Sequence, residues 1–150
     1  MPFAKIHRLD VYYESHGDGS TIVLLHHGFA CTKMWCNIYS HLVENAYRVA
    51  LYDRKGYGQS EKGVDFQVFY EGDKFRAESV KELTALGEAV GFGAFHIIGQ
   101  CEGGVIGVDY AATYPQEVKT LVTSSTKCFS LMSVPNLTSR NSQRPLKFGA

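Results

Sequence analysis

Residues 95–104, FHIIGQCEGG, decide the fold of this chain. Residues 95–98, apolar but for His96, read as a strand, and residues 103–114 read as a helix that ends at Pro115. Between them lies Gly99-Gln100-Cys101-Glu102-Gly103. A side chain at so sharp a strand-to-helix turn stands proud of the sheet's carboxyl edge, and crowding there demands small neighbours. Gly99, Gly103 and Gly104 supply them. The free N–H groups and positive end of a helix favour a thiolate and an oxyanion. Cys101 is therefore the expected nucleophile. The competing reading is a structural glycine turn around a buried, inert thiol.

The pattern extends outward from this turn. Residues 21–25, TIVLL, form a continuous apolar run suited to a strand buried on both faces, and run into His26-His27-Gly28-Phe29. Residues 47–52, YRVALY, form the next buried strand, closed by Asp53-Arg54-Lys55-Gly56-Tyr57-Gly58-Gln59-Ser60. Residues 9–14 alternate as an outer strand, 16–20 read as a turn and 118–123 as a last strand. Trp35, Ile38 and Leu42 mark a helix over 32–44. Val80, Leu83, Leu86 and Val90 mark another over 75–90, stopped by Gly91 and Gly93. Residues 61–74 show no clear period and read as a loop. Strands alternating with helices predict an α/β fold, a mostly parallel sheet with helices on both faces.

Acyl transfer needs two N–H donors aimed at the developing oxyanion. The backbone N–H of Glu102 is one candidate, and that of Phe29 or its neighbour the other; Gly28 lets the backbone approach closely. His26 and His27 precede this turn and read as residues that shape it rather than move protons. Asp53 and Arg54 are placed to hydrogen-bond the loops that hold the donors. The stretch GYGQS lacks the lysine of a phosphate-binding loop.

HHGF, DRKGYGQS and IIGQCEGG, in this order and each after a buried strand, together resemble the α/β-hydrolase superfamily over about residues 9–128. The pattern looks like the small esterase, lactonase, epoxide-hydrolase and carbon–carbon hydrolase group, and the elbow cysteine is similar to that of dienelactone hydrolases. The resemblance implies Cys101 as nucleophile, Phe29 and Glu102 as oxyanion donors, and an ester, thioester or lactone as substrate. The family's acid and histidine follow the nucleophile in chain order. Here no Asp or Glu follows Glu117 and no His follows His96. His96 is expected to pack in the core, and His7, His16 and His41 at the surface. The expectation is a hydrolase cut short after its sixth strand, which holds acyl groups on Cys101 more readily than it releases them. The alternative is a non-catalytic binding module on the same fold.

Charge and composition bound the rest. Fifteen basic and fifteen acidic residues cancel, which speaks against a nucleic-acid partner. All fifteen acids lie at or before Glu117, so the end of the chain is basic; residues 129–150 read as a poorly ordered tail after a domain over 1–128. Cys31, Cys36, Cys101 and Cys128 form no CxxC pair, and neither a metal nor a cofactor is implied. The spacing lends no particular support to a redox role for Cys101 with Cys31 or Cys36. No apolar run reaches the roughly 18 residues of a membrane span, and no leader opens the chain. A cytoplasmic protein with reduced thiols is expected, with a small acyl substrate and association through the exposed edge of the last strand.

Overall fold

The computed structural model describes residues 2–126. The tail at 129–150, and Cys128, lie outside the described residues. Six strands form one sheet: β1 (Phe3–Ile6), β2 (Leu9–His16), β3 (Ser20–Leu25), β4 (Tyr47–Tyr52), β5 (Phe95–Gln100) and β6 (Val118–Ser124), in the spatial order β1-β2-β4-β3-β5-β6. β1 and β2 form an antiparallel hairpin, and β2 runs antiparallel to β4. β4, β3, β5 and β6 are mutually parallel. The helices are α1 (Tyr39–Glu44), α2 (Phe66–Glu71), α3 (Phe75–Val90) and α4 (Glu102–Thr113).

β3 shows why the sheet carries helices on both faces. Side chains alternate across a strand, and here both faces are buried. Val23 and Leu25 join Leu83 and Leu86 of α3, Ile97 of β5, and Ile106 and Tyr110 of α4 in one core. Ile22 and Leu24 point the other way, into a second core with Trp35, Val49 and Leu51, against which Leu42 and Val43 of α1 pack. An apolar run without alternation is what such a strand requires.

Four details depart from the sequence reading. The expected helix over 32–44 is broken: a 3₁₀ turn, Thr32–Trp35, is followed by the short α1. The Thr32 N–H, which opens this turn, donates to Asp53 Oδ1 at 2.6 Å and so pins the segment to the loop after β4. Residues 61–74 are not all loop. Phe66 and Tyr70 of α2 stack, and Phe69 and Tyr70 pack on Phe75 at the head of α3, so short-range ring contacts support this one turn and a half. The strand at 9–14 continues to His16 and is not outermost, because β1 lies beyond it. The connection is a two-residue hairpin in which His7 and Arg8 have φ of 47° and 72°. A type I′ turn asks for that conformation, and the sequence lacks the Asn-Gly that normally announces it.

Two histidines also differ from expectation. His16 is half-buried, stacked on Tyr39 and paired with Glu14. His96 is half-buried and hydrogen-bonded rather than packed in the core, because its ring lies at the start of β5 where hydroxyl groups of β3 and β6 meet it.

Candidate active site

The elbow forms where the sequence places it. β5 ends at Gln100, α4 begins at Glu102, and Cys101 between them has φ 52° and ψ −113°. A non-glycine residue held in so sparsely populated a backbone region costs on the order of 1–3 kcal/mol. Fixed contacts hold it there. Cys101 N–H donates to the Ser124 carbonyl of β6 at 2.8 Å, and the Cys101 carbonyl accepts from Val105 N–H at 3.1 Å. The glycines are sterically required. A Cβ on Gly99 would lie 2.6 Å from the Gly103 carbonyl oxygen, and one on Gly103 would lie 2.2 Å from that of Leu25. The Cys101 residue itself is exposed. The structure thus differs from a turn that buries an inert thiol.

Glu102 has a partner that the sequence did not identify. Arg54 Nη2 donates to Glu102 Oε2 at 2.7 Å, and the Tyr57 hydroxyl donates to the same oxygen at 3.3 Å. The Arg54 side chain is 3% exposed and that of Glu102 19%. Arg54 lies over the Tyr57 ring, 4.8 Å from its centroid, and also donates to the His26 carbonyl at 3.2 Å. The Tyr57 hydroxyl titrates higher than usual, from burial and then from the nearby Glu102 charge. Gly28 admits this carboxylate: a Cβ there would sit 3.0 Å from Glu102 Oε2.

His26 is fully buried and uses both ring nitrogens on backbone. Nδ1 donates to the His27 carbonyl at 2.8 Å, and Nε2 accepts the Arg54 backbone N–H at 3.1 Å. That pattern is the neutral ring. Burial, followed by the Arg54 charge, pushes its pKa down to about 3. His26 ties the loop after β3 to the loop after β4. His27 is half-buried, and its Nδ1 accepts the Phe29 N–H at 3.1 Å. The expected second oxyanion donor is therefore satisfied within its own loop, and a ligand oxygen would have to take that proton from His27. The Phe29 ring is 97% exposed.

Asp53 organises the third loop. It is buried, with Oδ1 on the Thr32 N–H and Oδ2 accepting the Gln59 N–H at 2.8 Å. Gly58, at φ 50°, lies so close that a Cβ would fall 2.0 Å from Asp53 Oδ2. The Ser60 hydroxyl donates to the Asp53 carbonyl and accepts the Tyr12 N–H at 2.8 Å, which joins this loop to β2. Tyr57 and Ser60 escaped the sequence reading as site-building residues, although both lie inside DRKGYGQS.

A cavity of about 1020 Å³ lies away from Cys101. It opens between the β1–β2 turn, α2 and α3, with Lys55 and the buried Glu82 in its wall. Among the described residues no group of His, Cys, Asp or Glu could hold a metal ion, and no helix is long and apolar enough to cross a membrane. Cys31, Cys36 and Cys101 are free thiols.

The model of the alpha/beta hydrolase fold family matches residues 21–147. A proline iminopeptidase of Lactobacillus helveticus is 29% identical over 153 residues, covering 99% of this chain and 48% of that protein. A 2-hydroxy-6-oxo-6-phenylhexa-2,4-dienoate hydrolase of Comamonas testosteroni is 28% identical over 128 residues, covering 80% of this chain and 43% of that protein. Among solved structures, a bromoperoxidase from Bacillus anthracis superposes with a TM-score of 0.73 at 29% identity, over 83% of this chain and 44% of that one. The chain thus spans less than half the length of these relatives.

Proposed function

We propose, since this chain belongs to the alpha/beta hydrolase fold family, that it carries the nucleophile half of a hydrolase site and reacts through Cys101. The substrate class we assign is an ester, thioester or lactone. The observation that carries this reading is the exposed Cys101 held at φ 52° at the head of α4, since strain of this kind persists only where the surroundings over-determine it.

In this reading the Cys101 sulfur attacks the substrate carbonyl carbon. The oxyanion takes the Glu102 N–H, and the Phe29 N–H once it leaves His27 Nδ1. Collapse expels the alcohol or thiol and leaves an acyl group on sulfur. Release of that group needs an activated water. His26 cannot supply the base, because both ring nitrogens are engaged with backbone. Loss of a general base typically costs about 10²–10⁴-fold. This chain on its own therefore acylates faster than it turns over.

The test is a time course with p-nitrophenyl acetate. A burst near one equivalent of nitrophenolate, followed by a slow steady rate and lost in Cys101→Ala, is the expected result. A second reading, a binding module on the same fold, draws support from the Phe29 N–H that is already satisfied by His27. Wild-type protein with no acyl group on Cys101 would favour it and defeat the first.

A further inference from the structure

At the opposite, amino-terminal end of the same sheet, four side chains from three strands form a second polar cluster. Ser20 opens β3, His96 is the second residue of β5, and Lys119 and Thr120 lie near the start of β6. His96 is in register with Thr120 on one side and Ile22 on the other, which sets Ser20 diagonally across from the imidazole. Cys101 lies five positions beyond His96, about 16 Å away at the usual rise.

The contacts have a direction. Lys119 Nζ has only donors, so Ser20 Oγ accepts from it at 2.8 Å. Ser20 Oγ lies 3.2 Å from His96 Nε2, and His96 Nδ1 lies 2.7 Å from Thr120 Oγ1. With the ring proton on Nδ1 and donated to Thr120, Nε2 is the acceptor for the Ser20 hydroxyl. Tyr47 packs edge-on to the imidazole, with centroids 6.0 Å apart, and limits its rotation. Among the described residues no carboxylate pairs with Lys119, so its charge falls on the serine oxygen.

We propose that Ser20 is a second nucleophile, an acyl-accepting hydroxyl for small activated esters, separate from Cys101. His96 is its base, Thr120 orients that base, and Lys119 stabilises the oxygen as it gains charge. This is the arrangement an activated hydroxyl requires: a nucleophile on a base, and the base held by a third group. Ser20 Oγ bonds to the carbonyl carbon, the bond from that carbon to the aryloxy oxygen breaks, and the phenolate leaves. The hydroxyl proton passes to His96 Nε2 and from there to solvent. The product is an ester of Ser20 and a free phenol.

The test uses the full chain carrying Cys101→Ala, so that its outcome is independent of the cysteine chemistry. The protein is treated with p-nitrophenyl acetate and the acetylated peptides are located by mass spectrometry. The expected result is one acetyl group on Ser20, absent from Ser20→Ala, which removes a single oxygen. A positioned base is worth about 10²–10⁴-fold, so His96→Gln should slow labelling of Ser20 at least 10²-fold. Lys119→Met should slow it about tenfold, while Lys119→Arg, which keeps the charge, should leave it within about threefold. Should His96→Gln unfold, as its circular dichroism would reveal, Thr120→Val decides in its place, with an expected tenfold loss. Acetyl groups confined to lysines or the amino terminus overturn the proposal. So does labelling of Ser20 that is indifferent to whichever of these two variants is folded.

Discussion

Replacing Glu102 by Ala removes the only counter-charge, among the described residues, bonded to a guanidinium that is 3% exposed. Arg54 would keep the His26 carbonyl on Nη2, while its Nε and Nη1 already lack partners among the described residues. Breaking a buried ion pair from one side costs about 3–5 kcal/mol, because the other charge remains buried. Glu82, whose carboxyl feels the Arg54 charge, softens the loss, which places the expected cost near the lower figure, about 3 kcal/mol. For a chain of this size that is a fall in Tm of about 12 °C. Urea unfolding followed by tryptophan fluorescence measures it, since Trp35 is the single tryptophan and is buried in the second core. Glu102→Gln keeps an acceptor for Nη2 and should cost roughly half as much. The decisive variant is the double one, Glu102→Ala with Arg54→Met. It removes the stranded charge together with its two unpartnered donors, and should recover at least about 2 kcal/mol relative to Glu102→Ala alone. Additive losses in the double variant, or a cost below about 1 kcal/mol for Glu102→Ala, would refute the claim that this pair braces the elbow.

Three further outcomes follow from particular residues. Cys101→Gly relieves a non-glycine residue at φ 52° and should stabilise the fold by about 1–3 kcal/mol while abolishing the nitrophenolate burst; equal or lower stability in urea would show that the elbow is not strained. The β1–β2 turn holds His7 and Arg8 at positive φ, so His7→Asn with Arg8→Gly should raise Tm by several degrees, and an unchanged melt would refute the strain. Burial raises the Glu82 pKa from 4.5 to about 7, so the folded state binds this proton more tightly than the unfolded chain. Stability should therefore fall as pH rises from about 4.5 through about 7, by about 3 kcal/mol, and level off above that. Glu82→Gln should flatten this slope in urea titrations at pH 5 and pH 8, and a slope that survives the substitution would assign it to other groups.

The parallel core was legible because its signal is local and dense. Residues 21–25, 47–52 and 95–98 are strands whose central residues are buried, and their apolar runs announce it. The hairpin turn was not legible, because His7 and Arg8 adopt a backbone that their side chains do not favour; the pairing of Ile6 with Leu9 imposes it. The Phe66, Phe69, Tyr70 spacing does mark a helical face, but over six residues it is too short to stand out from a polar loop. At the elbow, the glycine pattern revealed where the backbone must crowd. It could not reveal that Glu102 reaches Arg54, because that contact joins residues 48 apart through the alignment of β4, β3 and β5. Nor could it reveal that Phe29 N–H turns to His27, a choice made by one loop's side-chain geometry.

The way the three loops are tied explains why the surroundings of Cys101 have a defined geometry. Each loop follows a buried parallel strand; the loop after β4 is hydrogen-bonded to the other two, and the loop after β3 packs closely against the elbow. His26 couples the loop after β3 to the loop after β4 through the Arg54 backbone. Arg54 then reaches back to the His26 carbonyl and forward to Glu102 at the elbow. Gly28 and Glu102 close the triangle, since the carboxylate occupies the space that a side chain at residue 28 would need. A shift of any one loop would therefore strain two buried contacts rather than one. Such reciprocal bracing is what a preorganised oxyanion site needs, because donors that must reorganise during reaction lose most of their worth. The Phe29 N–H stands outside these ties: its acceptor is Nδ1 of the half-buried His27 imidazole, whose ring takes no part in the bonds that join the loops.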